Sequence, residues 1–173
     1  MKGYVKVFSQ DINGGAFQSL KAALYKNSNN QNALLFSNLI NLEDYRSYDG
    51  KFHFKLCYPT VEGLEGKHCN MWSQSSNPVE QSEITGFKAY SLAFSMTANG
   101  PWKGLGKSKK KDLLMSDFPS CDSDNMGGIG LVGASSGKYE KLPSVWAGKG
   151  VVRKVELYVI PKGSCQKKVT TIF

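Results

Sequence analysis

The amino-acid sequence predicts a mainly β domain, an antiparallel β-sandwich of the jelly-roll type with one or two short helices near its N-terminus. Two observations lead to this prediction. Segments of alternating apolar and polar residues recur along the chain and are separated by turns rich in Gly and Asn. Apolar residues at helical spacing are confined to the first quarter of the sequence. The length of 173 residues suits a single domain over residues 1–173.

The first quarter of the chain combines one predicted strand with two predicted helices. Residues 4–8 alternate well enough to form the first strand. Helical spacing predicts an amphipathic helix over residues 16–25 and a second helix that ends near Tyr45. The residues that form these two patterns are Phe17, Leu20 and Leu24 for the first, and Leu35, Phe36, Leu39 and Leu42 for the second.

The middle and the end of the chain carry the patterns of strands. Residues 52–58 place apolar side chains on one face of a strand and the basic side chains of His53 and Lys55 on the other. Residues 90–96 and 155–159 repeat this alternation. No linker or internal repeat separates these segments, so we expect one domain.

The cysteines indicate the compartment in which the protein works. Their even number permits three pairings. The preferred pair is Cys57–Cys69, because these two residues bracket a short segment rich in turn-forming Pro and Gly. Cys121 would then pair with Cys165. Disulfides are typical of extracellular proteins, and the alternative is four free thiols in a cytosolic protein.

Neither a signal peptide nor a membrane span is recognisable in the sequence. The N-terminus lacks the apolar core of a signal peptide, and no apolar run approaches the roughly 20 residues that cross a bilayer. The chain is therefore either intracellular or a mature secreted piece that begins with an added Met. The cysteines favour secretion.

The charge of the chain favours acidic partners of a particular kind. The formal net charge is +8, from 22 Lys and Arg residues against 14 Asp and Glu residues, and the only arginines are Arg46 and Arg153. Recognition of phosphates and bases favours the forked guanidinium of Arg, whereas Lys gives diffuse attraction to anions. We therefore expect no nucleic acid, and acidic glycans, mineral or anionic membrane surfaces fit better.

A glycine-lysine segment, residues 104–108, resembles the end of a phosphate-binding P-loop. Pro101 stands where that motif requires Gly, and Pro lacks the backbone N–H of a phosphate cradle. A basic hairpin tip is the better interpretation. An exposed Trp among lysines there would stack on a sugar ring while the ammonium groups attract anions, although charge runs are usually solubilising. The candidate ligand-binding residues are Trp102, Lys103 and Lys107.

A cluster of acidic and amide residues predicts a calcium loop. Calcium binds six to eight oxygen atoms, which Asp side chains and carbonyls in a glycine-rich turn supply. The candidate ligands are Asp117, Asp122, Asp124 and Asn125. The cluster departs from the EF-hand pattern in its Gly and Glu positions, and the alternative is an ordinary acidic turn.

A third cluster follows the second cysteine and has the composition of a carbohydrate site. Trp72 offers a ring that would stack on a sugar, and Gln74 and Asn77 offer amides that would bond its hydroxyls. The alternative is a Trp that anchors the sheet and is followed by a polar loop.

No zinc or catalytic site is assembled in the sequence. The spacing of Cys57, His68 and Cys69 lacks the C-x-x-C pattern of structural zinc sites. His53 and His68 are the only histidines, and neither adjoins a recognisable nucleophile motif. We therefore expect a protein without enzymatic activity.

Four segments, FHFKLCYP (52–59), KHCNMWSQSSNP (67–78), ITGF (84–87) and VELYV (155–159), carry a family resemblance. The chain resembles an extracellular domain of cnidarian skeletal organic matrix proteins, where such a domain accompanies fibrinogen-like modules. The resemblance implies secretion, a Cys57–Cys69 bridge and a matrix or recognition role without a defined ligand. The chain departs from the family pattern over residues 126–130 and at Cys121 and Cys165, which puts a family site near residues 117–130 in doubt.

These observations together predict a secreted, non-enzymatic, lectin-like domain that binds a glycan or an acidic matrix component. Two alternatives from other classes stay open. One is a basic membrane-active or toxin-like protein, although no amphipathic insertion segment is evident. The other is a hydrolase whose active site is assembled from distant loops.

Overall fold

One large antiparallel sheet dominates the computed structural model. The model describes residues 3–14, 17, 20–59, 69–93, 96–97, 100–101, 103–107, 115–116 and 154–162. The strands of the large sheet are β1 (Val5–Asp11), β2 (Tyr25–Lys26), β3 (Leu35–Asn38), β4 (Phe52–Cys57), β5 (Cys69–Gln74), β6 (Lys88–Leu92) and β11 (Lys154–Val159). Their spatial order is β2-β3-β1-β11-β4-β5-β6, and each strand is antiparallel to its neighbours.

Shorter elements complete the described part of the chain. Two two-stranded sheets pair β7 (Met96–Thr97) with β8 (Gly100–Pro101), and β9 (Leu105–Gly106) with β10 (Met115–Ser116). The helices are α1 (Leu20–Leu24) and two 3-10 helices, Ile12–Gly14 and Leu39–Tyr45. The prediction of a mainly β, antiparallel fold with few helices is confirmed, and the sandwich arrangement stays a prediction.

The second predicted helix is wrong in its first half. Leu35–Asn38 forms strand β3, in which Leu35 pairs with Gln10 and Phe36 with Ser9 of β1. Both apolar side chains are buried, one on each face of the sheet. A short apolar run buried on both faces has no strand period, so its sequence does not separate strand from helix.

Strand β11 from the end of the chain lies between β1 and β4, and this position aligns residues from five strands. Lys6 of β1 pairs with Tyr158 of β11, and Tyr158 pairs with Lys55 of β4. Lys55 pairs in turn with Met71 of β5, which pairs with Ser91 of β6. Because side chains alternate between faces along a strand, this row lies on one face of the sheet. We call it the outer face.

The opposite, inner face of the sheet carries the hydrophobic core. Its largest fully buried side chains include Phe8, Phe52, Phe54, Leu56, Tyr58, Trp72 and Leu105. The centre of the Phe54 ring lies 5.5 Å from the centre of the Phe52 ring and 5.4 Å from that of the Trp72 ring. Each such side chain stabilises the fold by about 1.5–3 kcal/mol through removal of apolar surface from water.

The predicted disulfide between Cys57 and Cys69 is confirmed. The two residues are partners in the register of β4 and β5, so the bond joins the start of one strand to the end of its neighbour. On the chain-entropy model, closing this short loop stabilises the fold by about 3 kcal/mol. Cys121 and Cys165 lie outside the described residues.

Among the described residues, no helix is long and apolar enough to cross a membrane.

Candidate binding site

The structure places Trp72, predicted to stack on a sugar, in the core. Its side chain is fully buried against Phe54, and its indole Nε1 donates a hydrogen bond to Gln74 Oε1 at 2.8 Å. A ring without exposed surface offers no face to a ligand. Trp72 therefore has the alternative role stated above, that of an anchor for the sheet.

Gln74 uses its whole amide inside the protein. Its Oε1 also accepts a hydrogen bond from the backbone N–H of Leu105 at 3.0 Å. Its Nε2 donates to the carbonyl oxygens of Ser76 at 2.9 Å and Leu105 at 2.8 Å. These bonds attach β9 to the inner face of the sheet, so the ligand-binding prediction for Gln74 is replaced by a structural role.

Asn77 likewise holds the turn that follows β5. Its Nδ2 donates to Glu43 Oε1 at 2.8 Å, and its Oδ1 accepts from the backbone N–H of Val79 at 2.9 Å. Arg46 donates to both carboxylate oxygens of Glu43, at 2.8 and 2.7 Å. The hydrogen bond from Arg46 holds the pKa of Glu43 below its ordinary value. Asn77 is thus part of a local polar network that connects two segments of the fold.

The segment predicted as a basic hairpin tip is described in part, and its residues Leu105–Gly106 form the buried strand β9. The side chains of Lys103 and Lys107 are exposed on either side of a buried Gly-Leu-Gly segment, so both are accessible to a ligand. Trp102, the ring predicted to accompany them, lies outside the described residues. The ligand-binding prediction for this tip stays a prediction.

The predicted calcium ligands Asp117, Asp122, Asp124 and Asn125 also lie outside the described residues. Among the residues that the structure does describe, no group of three or more His, Cys, Asp and Glu side chains is arranged to hold a metal ion. Calcium binding therefore stays a prediction.

A surface that the sequence did not single out lies on the outer face of the sheet. Aromatic and basic side chains from β1, β4, β6, β11 and the residue before β1 meet there. We call this surface the lysine–tyrosine face and define it by Tyr4, Lys6, His53, Lys55, Tyr90 and Tyr158.

Lys55 lies at the centre of this face. Its Nζ is 5.9 Å from the centre of the Tyr4 ring and 5.6 Å from that of the Tyr158 ring. Both distances are within the range of cation–π attraction. Its side chain is half-buried, and among the described residues no carboxylate or other acceptor binds its ammonium group. Among the described residues, the electrostatic contacts of the Lys55 ammonium are thus with aromatic rings.

Glu156 forms ion pairs with the two lysines next to it. Its carboxylate binds Lys6 Nζ at 2.7 Å and Lys154 Nζ at 3.1 Å, and it accepts a hydrogen bond from the Tyr158 hydroxyl at 2.6 Å. Burial alone would raise the pKa of Glu156, but the three donors outweigh it and hold that pKa below its ordinary value. Burial and the bond to Glu156 raise the pKa of Tyr158. This cluster is internally satisfied.

His53 and Tyr90 form a pair of parallel rings at the other end of the face. The ring centres are 5.9 Å apart and the planes differ by 8°. His53 Nδ1 lies 3.0 Å from the Tyr90 hydroxyl, and His53 Nε2 lies 3.2 Å from Asp49 Oδ2. Burial, together with nearby Tyr90, raises the pKa of Tyr4. Since Tyr90 is 47% exposed, its ring remains open to solvent.

Only part of this face could be predicted from the sequence. The alternation of residues 52–58 predicts that His53 and Lys55 share the polar face of one strand, as they do. Tyr4, Tyr90 and Tyr158 come from distant segments, and only the strand order brings them to that strand. The face therefore becomes recognisable only once the sheet topology is known.

No protein-family model matches the chain, and no curated protein or solved structure matches it either. The resemblance to cnidarian matrix proteins therefore stays a prediction.

Proposed function

We propose that the protein is a secreted, non-enzymatic binding domain that recognises a glycan of the extracellular matrix through the lysine–tyrosine face. The observation that carries the proposal is the combination, on one face of the sheet, of the exposed Tyr90 ring with the positive charge of Lys55. Sugar-binding sites use aromatic rings for stacking and a few polar groups for orientation.

The position of the rings supports the proposal. Tyr90 stacks on His53, and Asp49 binds the far side of the imidazole, so the Tyr90 ring is held in place before a ligand arrives. A ring that is already ordered loses little conformational entropy on binding. Such a ring provides a firm platform for the flat apolar side of a sugar.

The disulfide supports the proposed location. Disulfides persist in oxidising compartments and are rare in the cytosol, and Cys57–Cys69 joins the adjacent strands β4 and β5. We also propose that the large sheet is one layer of a β-sandwich. Leu105 of β9, which is fully buried against the inner face, supports a second layer there.

Binding to an array of acidic and neutral glycans tests the proposed function. We expect the protein to bind, and Tyr90→Ala to weaken binding about five- to tenfold, as expected for loss of one stacking ring. Tyr25→Ala is the matched control, because Tyr25 is 51% exposed but lies in β2 at the opposite edge of the sheet. Absence of binding to every glycan, with the protein folded, would contradict the proposal.

A further inference from the structure

We infer that Lys55 is the anion-binding position of the lysine–tyrosine face, and that the ligand is a sugar that carries a sulfate or carboxylate group. This inference rests on the proposed function and names the ligand class of the same site. It predicts that one ammonium group, rather than the net charge of the protein, selects the ligand.

The lysines of the outer face differ in what they bind. Lys6 and Lys154 both contact the carboxylate of Glu156. Lys55 lies between the rings of Tyr4 and Tyr158, and no described residue supplies it with a carboxylate. The half-buried side chain of Lys55 has less access to water than an exposed one, and an anion from outside would supply a charged partner. Lys88 of the outer face also lacks a described carboxylate, but it is exposed and keeps its hydration. Lys55 is therefore the described lysine of this face best placed to gain from an anion.

The distance from Lys55 to the ring pair suits a single substituted sugar. Lys55 and His53 are two residues apart on β4, so their side chains lie on the same face about 7 Å apart along the strand. Tyr90 stacks on His53 at the end of this interval. A sugar ring seated on Tyr90 would therefore bring an anionic substituent within reach of the Lys55 ammonium.

The charges around Lys55 also suit an anion. Among the described strand residues, the register places Lys6, Lys55, Lys88 and Lys154 on the outer face, with the acids Asp11 and Glu156. Both acids lie on the side of Lys55 away from His53, and Lys6 and Lys154 offset the charge of Glu156. Asp49 is the acid at the ring end, where it contacts His53. An ammonium attracts sulfate and carboxylate as a point charge, without the forked geometry that Arg supplies.

Calorimetric titration with three hexasaccharides tests this inference: a heparin-derived sulfated one, a hyaluronan one that carries carboxylates only, and neutral chitohexaose. We expect the native protein to bind at least one of the acidic sugars more tightly than the neutral one. Lys55→Gln should weaken acidic binding tenfold or more and leave neutral binding unchanged, because a charged hydrogen bond is lost. The sulfated and carboxylated arms identify which anion is preferred.

Three further variants make the result specific. Lys55→Met keeps a long side chain between the tyrosine rings without the charge, and it should behave like Lys55→Gln. Lys55→Arg keeps the charge and should stay within about threefold of the native protein. Lys26→Gln removes the same charge from β2 at the opposite edge of the sheet and should change affinity less than twofold.

The outcomes separate the inference from the proposed function. If Lys55→Gln and Lys55→Met bind acidic sugars like the native protein while Tyr90→Ala binds weakly, the inference is overturned and the proposed function stands. Equal affinity of the native protein for acidic and neutral sugars would also overturn the inference and leave the proposed function standing. If none of the three sugars binds the folded native protein, the inference fails, and the proposed function fails with it only when the glycan array shows no binding either.

Discussion

On the inner face of the sheet, the indole of Trp72 is buried and donates to Gln74, whose amide is satisfied by Ser76 and Leu105. On the outer face, the Tyr90 ring is exposed and the Lys55 ammonium has only aromatic contacts among the described residues. Both regions combine rings with polar groups. They differ in whether those groups already have partners inside the protein.

This difference separates stability from recognition. A polar group that is buried and fully bonded contributes to folding, and its loss leaves other groups unpaired. A ring or charge that remains open contributes little to stability and is free to bind a ligand. We therefore expect changes on the inner face to reduce stability, and changes at Tyr90 and Lys55 to reduce binding.

The largest expected loss of stability comes from Trp72→Ala. Removal of this fully buried ring leaves a cavity against Phe54 and removes one of the two hydrogen bonds to Gln74 Oε1, and we expect the free energy of unfolding to fall by about 3–5 kcal/mol. Urea unfolding measures this free energy. Tyr90→Ala removes the contacts with His53 and should lower the same quantity by no more than about 1.5 kcal/mol. A loss of similar size in both variants would remove the distinction between the faces.

The disulfide is expected to contribute nearly as much. Replacing both Cys57 and Cys69 by Ser should lower the free energy of unfolding by about 3 kcal/mol, because the unfolded chain is no longer cross-linked. The measurement is urea unfolding of the double variant beside the native protein. Adding a reductant should remove the difference in stability between the two proteins, and a loss in the variant itself would come from the predicted Cys121–Cys165 bond. Equal stability of the two proteins would show that the bond contributes nothing.

Glu156 should give a pH-dependent contribution. Its native pKa is lowered, so its interactions stabilise the fold fully above the ordinary value of 4.5 and are lost as the pH falls through the native value. At neutral pH, Glu156→Gln should therefore reduce the free energy of unfolding by about 1–3 kcal/mol. The gap between variant and native protein should narrow as the pH falls below 4.5. A gap that stayed constant with pH would contradict this account.

The smallest expected effect compares two glycines. Gly104 has φ of +101°, and an added Cβ would lie 2.6 Å from Gln74 Oε1. Gly50 has φ of +75°, and nothing lies within 4 Å of such a Cβ. Gly104→Ala should therefore destabilise the protein by about 1 kcal/mol more than Gly50→Ala, since both changes strain the backbone but only the first disturbs Gln74. Thermal unfolding measures the difference in stability between the two variants. Equal losses of stability would contradict the structural role of the Gln74 hydrogen bonds.

The extent to which the sequence predicted the fold depended on the regularity of each pattern. Strand β4 and the Cys57–Cys69 bond were predicted because their residues are close in sequence and alternate cleanly. Strand β5 was not predicted, because its inner face carries Asn70 and Gln74 beside Trp72. Those amides suit the interior only because partners exist there, and partners from distant segments are invisible in the sequence.

The candidate site was predicted less well for the same reason. Trp72, Gln74 and Asn77 have the composition of a sugar site, but composition does not show whether a group is already bonded. The residues of the lysine–tyrosine face, in contrast, are not neighbours in sequence, so no single segment has the composition of a site. Its rings meet Lys55 because β11 lies between β1 and β4.

The most direct test of the central claim is an NMR titration of the native protein with a sulfated hexasaccharide. This measurement shows which of the two basic surfaces, the lysine–tyrosine face or the hairpin tip, contacts the ligand. We expect the backbone amide shifts to cluster on β4 and β6 around Lys55 and Tyr90. Shifts that cluster instead at Lys103 and Lys107, with β4 unaffected, would contradict it.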